Sequence, residues 1–187
     1  MSVQKAIFPG LIIGIVCLLV MTRILTGGAA RVVTNTLPEV GKKLQTQAAE
    51  CTISPAYPES IRQWCGEIER YARENGLDPN LISALMLQES AGQPDAYSKS
   101  GAVGLMQVMP RDGKAASFMC KNGPCFADRP SMQELFDPQY NIAFGTRMLA
   151  ELIHKRGNLR EALKAYGPMD VGYYYADLVI GIMNNHQ

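Results

Sequence analysis

Asp78-Pro79-Asn80-Leu81-Ile82-Ser83-Ala84-Leu85-Met86-Leu87-Gln88-Glu89-Ser90 reads as one helix. Aspartate is a favoured N-cap, and proline suits the first helical position because its missing N–H has no partner there to lose. Leu81 to Leu87 is strongly apolar, and Gly92 and Pro94 stop the helix. Glu89 is the anomaly. It is in phase with Leu81 and Leu85, so it points to the core side of the helix. It also lies at the helix C-terminus, where the backbone carries partial negative charge. Both influences disfavour the carboxylate and raise the pKa of the acid. A carboxylic acid still protonated near neutral pH can serve as a general acid.

Helical periodicity extends to both sides. Ser60 is expected to cap a helix carrying Ile61, Trp64, Ile68 and Tyr71 and ending near Asn75-Gly76. Residues 91–104 are loop-like, and a short helix is expected to open near Val103 and to end at Pro110. Pro138 to Lys155, with Ile142, Met148, Leu149, Leu152 and Ile153, is amphipathic. Asn158 caps a helix from Leu159 to Tyr166, and the last helix runs from about Val171 to Met183. No alternating strand patterns stand out, so the fold class is all-α.

The 187 residues allow one compact domain and a short accessory segment, and 47% apolar residues suffice for a core. A net charge of +1, with Lys42-Lys43 the longest basic cluster, excludes a nucleic-acid partner held by a broad basic field. Two histidines, His154 and His186, leave little material for a histidine metal site, and no metal or cofactor is expected. Residues 1–26 form a membrane anchor or a signal segment. Ile7 to Leu25 would span about 28 Å as a helix, close to the hydrocarbon thickness of a bilayer. Gly28-Ala29-Ala30 would suit signal cleavage, but the long apolar run favours a retained anchor. Residues 27–58, with Pro38, Gly41, Pro55 and Pro58, read as a linker, and 59–187 as the catalytic domain.

Cys17 lies in the apolar run, and Cys51, Cys65, Cys120 and Cys125 follow it. An even number downstream of an export signal suggests two disulfides and an oxidising compartment. Three pairings are formally open. Cys120 and Cys125 flank the turn-forming Lys-Asn-Gly-Pro, so a local bridge is the simplest choice and leaves Cys51 with Cys65. A four-thiolate zinc site is the alternative, although the spacing is not the paired C-x2-C of zinc ribbons.

Several short motifs occur in order. Glu89-Ser90 is followed by Ala96-Tyr97-Ser98-Lys99-Ser100-Gly101-Ala102, then Gly104-Leu105-Met106-Gln107 and Met109-Pro110. Asp137-Pro138, Asn141-Ile142, Gly145 and Leu149 come next, then Ala165-Tyr166-Gly167-Pro168 with Val171 and Tyr174. Together they resemble the soluble lytic transglycosylase (SLT) domain family. The resemblance covers roughly residues 75 to 180. It implies a lysozyme-like α-helical fold with a cleft for a glycan strand. Glu89 would be the catalytic acid/base, Ser98 and Ser100 would stand beside the reacting sugar, and Gln107 and Tyr166 would line the cleft. Hydroxyls and an amide suit N-acetyl and hydroxyl groups because they donate and accept without adding charge. The plainer alternatives are loop-capping serines and a core tyrosine, and Met106 and Met109 suit packing.

The chain departs from the family twice. Ala165-Tyr166-Gly167-Pro168 lacks the asparagine of the family's Ala-Tyr-Asn-Ala-Gly-Pro-Gly, and Arg111 to Pro130 is a local elaboration. Most glycosidases use two carboxylates, but Asp95 and Asp112, the nearby candidates, do not sit where the family fixes an acid. The resemblance therefore implies a peptidoglycan lytic transglycosylase. Glu89 alone would cleave between N-acetylmuramic acid and N-acetylglucosamine and close a 1,6-anhydro ring. The alternatives are a hydrolytic lysozyme of the same fold and an inactive peptidoglycan-binding component of a virion or secretion apparatus. The expected partners are the peptidoglycan glycan strand, a membrane through the N-terminal helix, and a virion or secretion/conjugation complex. The expected location is extracytoplasmic.

Overall fold

In the computed structural model the described residues are 51–187. The apolar run Ile7–Leu25, Cys17 and residues 27–50 of the linker lie outside them. Among the described residues no helix is long and apolar enough to cross a membrane.

Among the described residues seven α-helices follow in order: α1 Glu59–Arg62, α2 Cys65–Glu74, α3 Pro79–Ser90, α4 Met132–Leu135, α5 Pro138–Arg156, α6 Leu159–Tyr166 and α7 Tyr174–Asn185. α3 and α6 start on the caps read from the sequence, Asp78 and Asn158, and α5 starts in the same way on Asp137. The side chains of Asp78, Asp137 and Asn158 accept from the backbone N–H of Asn80, Tyr140 and Glu161. Each contact satisfies one of the N–H groups a helix start leaves unpaired.

α3 is buried along Leu81–Met86 on every side, as a helix apolar around its whole circumference must be. Its one polar residue there, Ser83, donates its hydroxyl hydrogen to the Pro79 carbonyl at 2.9 Å and so carries no unmet bond into the core. α1, α2 and α7 pack around α3, while α5 packs on α2, α4 and α6. Ile61, Ile68, Leu85, Leu105, Ile142, Leu149, Leu163 and Val179 meet between them as one core. Truncating a core leucine such as Leu85 to alanine would cost about 2–5 kcal/mol.

Residues 51–58, assigned above to the linker, belong to this body. Ile53 and Tyr57 are buried, Tyr57 donates to the Asn80 carbonyl at 2.9 Å, and its ring stacks on His186 with centroids 4.5 Å apart. Cys51 is bonded to Cys65, and Cys120 to Cys125, with Cα atoms 6.0 and 5.0 Å apart. With these four cysteines paired, none of the four is left as a thiolate for the zinc alternative.

Several local expectations are corrected. Ser60 does not cap. α1 starts after Pro58, whose extended backbone (φ −64°, ψ 156°) precedes the first turn. The helix then breaks at Trp64, whose indole N–H reaches the Gly92 carbonyl at 3.2 Å. No helix opens at Val103. Gly104 (φ 74°) and Gln107 (φ 45°) form a tight turn between Val103 and Val108, which exchange backbone hydrogen bonds at 3.0 and 3.1 Å. Left-handed residues stop a right-handed helix.

A two-stranded hairpin, β1 Met119–Cys120 with β2 Gly123–Pro124, is present, far too short to leave an alternating pattern. α4 was not expected at all. It stands on a capping box in which Ser131 and Glu134 each accept a backbone N–H from the other.

Candidate active site

Glu89 occupies the last turn of α3, which ends on Ala91 in the left-handed conformation (φ 52°). Ser90 fixes this end. Its hydroxyl donates to the Leu105 carbonyl at 2.8 Å and accepts the Gly92 N–H at 3.1 Å. Gly92 (φ 83°) lies so close to the Ser60 carbonyl that no Cβ would fit. The residues after the glutamate are thus spent on holding the helix end against the 102–109 loop.

That loop is clamped from α5 and α6. Asn141, buried in α5, accepts the Met106 N–H at 2.7 Å and donates to the carbonyls of Val103 (2.9 Å) and Leu135 (2.8 Å). Tyr166 donates its hydroxyl hydrogen to the Met106 carbonyl at 2.8 Å. Gly145 leaves room for Met106 and the Tyr166 hydroxyl, where a Cβ would collide with both. The Asn-Ile, Gly and Tyr of the sequence motifs are therefore the parts that hold Gly104–Gln107 in place.

Glu89 receives a hydrogen bond from the hydroxyl of Tyr175, in the first turn of α7. Burial pushes the Glu89 carboxyl up to about 7, and the Tyr175 hydroxyl pulls in the opposite direction. Tyr175 itself is held well above the ordinary phenol range by burial and then by the Glu89 charge. Tyr166 is raised by burial and by the same carboxylate. One acid and two phenols therefore share a poorly hydrated space.

Tyr175 is the residue that sequence reasoning missed. The closing motif was matched through Tyr174, which is 71% exposed, whereas Tyr175 is 6% exposed. Only the docked helix singles Tyr175 out: it is in phase with the buried Val179, and its ring fills the space a Cβ on Gly167 would need.

The other expected site residues differ in what they have left to offer. Gln107 donates its amide hydrogens to the carbonyls of Gly104 (2.9 Å) and Ala96 (3.2 Å), so its Oε1 is the atom free to accept. Ser98 accepts the Ala102 N–H at 2.9 Å, which is the loop-capping role, but it keeps its hydroxyl hydrogen to donate. Ser100 is exposed on the same loop. Asp112 accepts the Met132 N–H at 2.7 Å and so holds the start of α4. Asp95 is exposed.

Residues 67–171 match the family model described as the transglycosylase SLT domain, more than half of the chain. The chain belongs to the SLT domain family. A membrane-bound lytic murein transglycosylase E of Buchnera aphidicola is 38% identical over 96 residues, covering 51% of this chain and 42% of that protein. An endo-type membrane-bound lytic murein transglycosylase A of Klebsiella pneumoniae is 38% identical over 90 residues, covering 48% and 43%. The matches thus span less than half the length of these SLT relatives. The solved soluble lytic transglycosylase of Escherichia coli is 29% identical, covering 65% of this chain and 19% of that one, with a TM-score of 0.43.

Proposed function

We propose that this chain is a peptidoglycan lytic transglycosylase with Glu89 as its only catalytic carboxyl group. The observation that carries the reading is the state of Glu89: a half-buried acid, pushed up by desolvation to about 7, in the family's glutamate position and touched by one phenol. An acid of that strength is protonated in a useful fraction of molecules near neutral pH and is still able to take a proton back.

The mechanism uses both states. Glu89 gives its proton to the oxygen between N-acetylmuramic acid and N-acetylglucosamine as that bond breaks, and the N-acetyl carbonyl of the muramic residue stabilises the cation. The resulting Glu89 carboxylate then takes the proton of the muramic C6 hydroxyl, whose oxygen closes on C1 to give the 1,6-anhydro ring. Atoms balance with no water consumed, and Glu89 ends protonated as it began. Tyr175 steadies the ionised form between the two steps. Ser98 can donate to a sugar oxygen and Gln107 can accept from a hydroxyl or an N-acetyl N–H, so the two loop groups are complementary. Ser100 and Tyr166 are assigned to the same cleft.

The assignment of Asp112 to the α4 start and the exposure of Asp95 support a single-carboxylate route over a paired one. The two disulfides support an oxidising, extracytoplasmic compartment. The reading places the domain beside the wall, with the apolar run Ile7–Leu25 as its membrane anchor, as the names of the matched relatives suggest. Incubation of purified sacculi with the native chain and with Glu89→Gln tests it: native protein releases soluble fragments and the variant does not. Equal release by both would remove Glu89 from the chemistry.

A further inference from the structure

Arg111 to Pro130, which departs from the family pattern, builds a second concavity. Between the hairpin and α5 lies a cavity of about 470 Å3, walled by Pro124, Cys125 and Phe126 on one side and by Phe144, Met148 and Leu152 on the other. The Cys120–Cys125 bridge ties the hairpin wall.

Arg129 stands in this cavity, half-buried. Its guanidinium lies 5.8 Å from the centre of the Phe144 ring, and that of Arg147 lies 5.1 Å from the same centre. Two cations therefore converge on one phenyl group. Arg147 has Glu151 at 3.8 Å, in an open, solvent-screened pair. Arg129 has no carboxylate in salt-bridge range among the described residues. One of its N–H groups is aimed at the Met148 sulfur, a weak acceptor. Burial lowers its pKa, and Glu151, which lines the cavity with Asp128, offsets this only in part from beyond ion-pair distance. An anion from outside would relieve this, and a planar guanidinium fits a carboxylate through two parallel hydrogen bonds.

The cavity adjoins the candidate active site along α5. Gly145 sits under Met106 and the Tyr166 hydroxyl, and Met148, the residue against Arg129, is about 4.5 Å further along the helix axis. The charge of Arg129 is felt at Tyr166.

We propose that this cavity is a carboxylate-binding subsite for the short peptide carried by the muramic residues of the glycan strand. The proposal rests on the wall substrate argued above. Wall peptides bear free carboxyl groups on compact, partly apolar residues, which match one guanidinium above a floor of Phe144, Met148 and Leu152. The cavity volume falls in the range of small-ligand pockets and holds a few residues of peptide.

Binding of a synthetic peptide, acetyl-L-Ala-γ-D-Glu-L-Lys-D-Ala, to the full chain tests this by calorimetry without any turnover. The native chain binds it, Arg129→Gln binds about tenfold more weakly at unchanged melting temperature, and Arg129→Lys falls between. Absence of binding to the native chain at millimolar peptide overturns the proposal, as does equal affinity in Arg129→Gln. Equal binding of the all-L acetyl-Ala-Glu-Lys-Ala overturns the wall-peptide assignment, because a generic anion site would then explain the data. Should Arg129→Gln fail to fold, Lys155→Glu at the exposed rim gives the same reading, since weaker binding supports the subsite and unchanged binding overturns it. A chain that binds the peptide but leaves sacculi intact keeps the subsite and loses the catalytic reading; one that cuts sacculi but ignores the peptide does the reverse.

Discussion

Tyr175 donates its phenolic hydrogen to Oε1 of Glu89 across 86 positions of sequence, joining the last turn of α3 to the first turn of α7. A hydrogen bond of this kind favours the ionised carboxylate, while the surrounding burial favours the neutral acid. Burial wins, and the acid rests at about 7.

Tyr175→Phe therefore raises the Glu89 pKa further, because the one contribution that lowers it is removed. The alkaline limb of kcat/KM, set by loss of the acid's proton, moves from near 7 to higher pH. The maximal rate falls by roughly 10- to 100-fold, because the carboxylate formed in the first step has lost its donor. A pH–rate profile of native and variant checks this, and an unmoved or acid-shifted limb would contradict it.

Glu89→Gln removes activity and stabilises the fold at higher pH. The sign follows from the raised pKa: a desolvated acid at about 7 against an ordinary 4.5 contributes most favourably below 4.5 and loses that contribution as pH rises through 7. Glutamine has no proton to lose, so the variant is the more stable form above neutrality, by about 3 kcal/mol at most. Denaturant melts at pH 4 and pH 8 measure the difference, which should open only at the higher pH.

Asn141→Ala leaves the Met106 N–H and the carbonyls of Val103 and Leu135 without their partner. Each buried group left unmet costs about 1–3 kcal/mol, so the total should reach about 3–5 kcal/mol. Sacculus clearing should fall with it, since Gly104–Gln107 loses one of its clamps. Chemical denaturation measures the first effect, and a loss below about 1 kcal/mol would show that Asn141 is not the clamp.

The sequence told most where one local rule sufficed. α3, α5 and α6 were legible because Asp78-Pro79, Asp137-Pro138 and Asn158 mark their starts and apolar periodicity carries them on. The break at Trp64, the β1–β2 hairpin and α4 were not, because four residues or fewer show no period, and only a long-range contact such as Trp64 to Gly92 explains the break. Glu89 was legible from its helical phase. Its partner was not, because nothing local distinguishes Tyr173, Tyr174 and Tyr175 until α7 is docked on α3.

The two disulfides should differ in what their loss does. Cys51–Cys65 closes a 14-residue separation and ties Ile53 and Tyr57 to the core, so replacing both cysteines by serine costs about 3 kcal/mol. Cys120–Cys125 closes only 5, and its loss costs less. Thermal melts of the two double variants rank them, and the reverse order would contradict this assignment.

The measurement that bears most directly on the central claim is the chemical form of the released fragments. Sacculi are digested in oxygen-labelled water, and the fragments are weighed before and after borohydride treatment. Catalysis by Glu89 alone predicts muropeptides lighter by one water than their hydrolytic counterparts, resistant to borohydride and free of label at the muramic C1. Reducible fragments carrying the label at C1 would mean that water, not the C6 hydroxyl, attacks, and that a second group holds it.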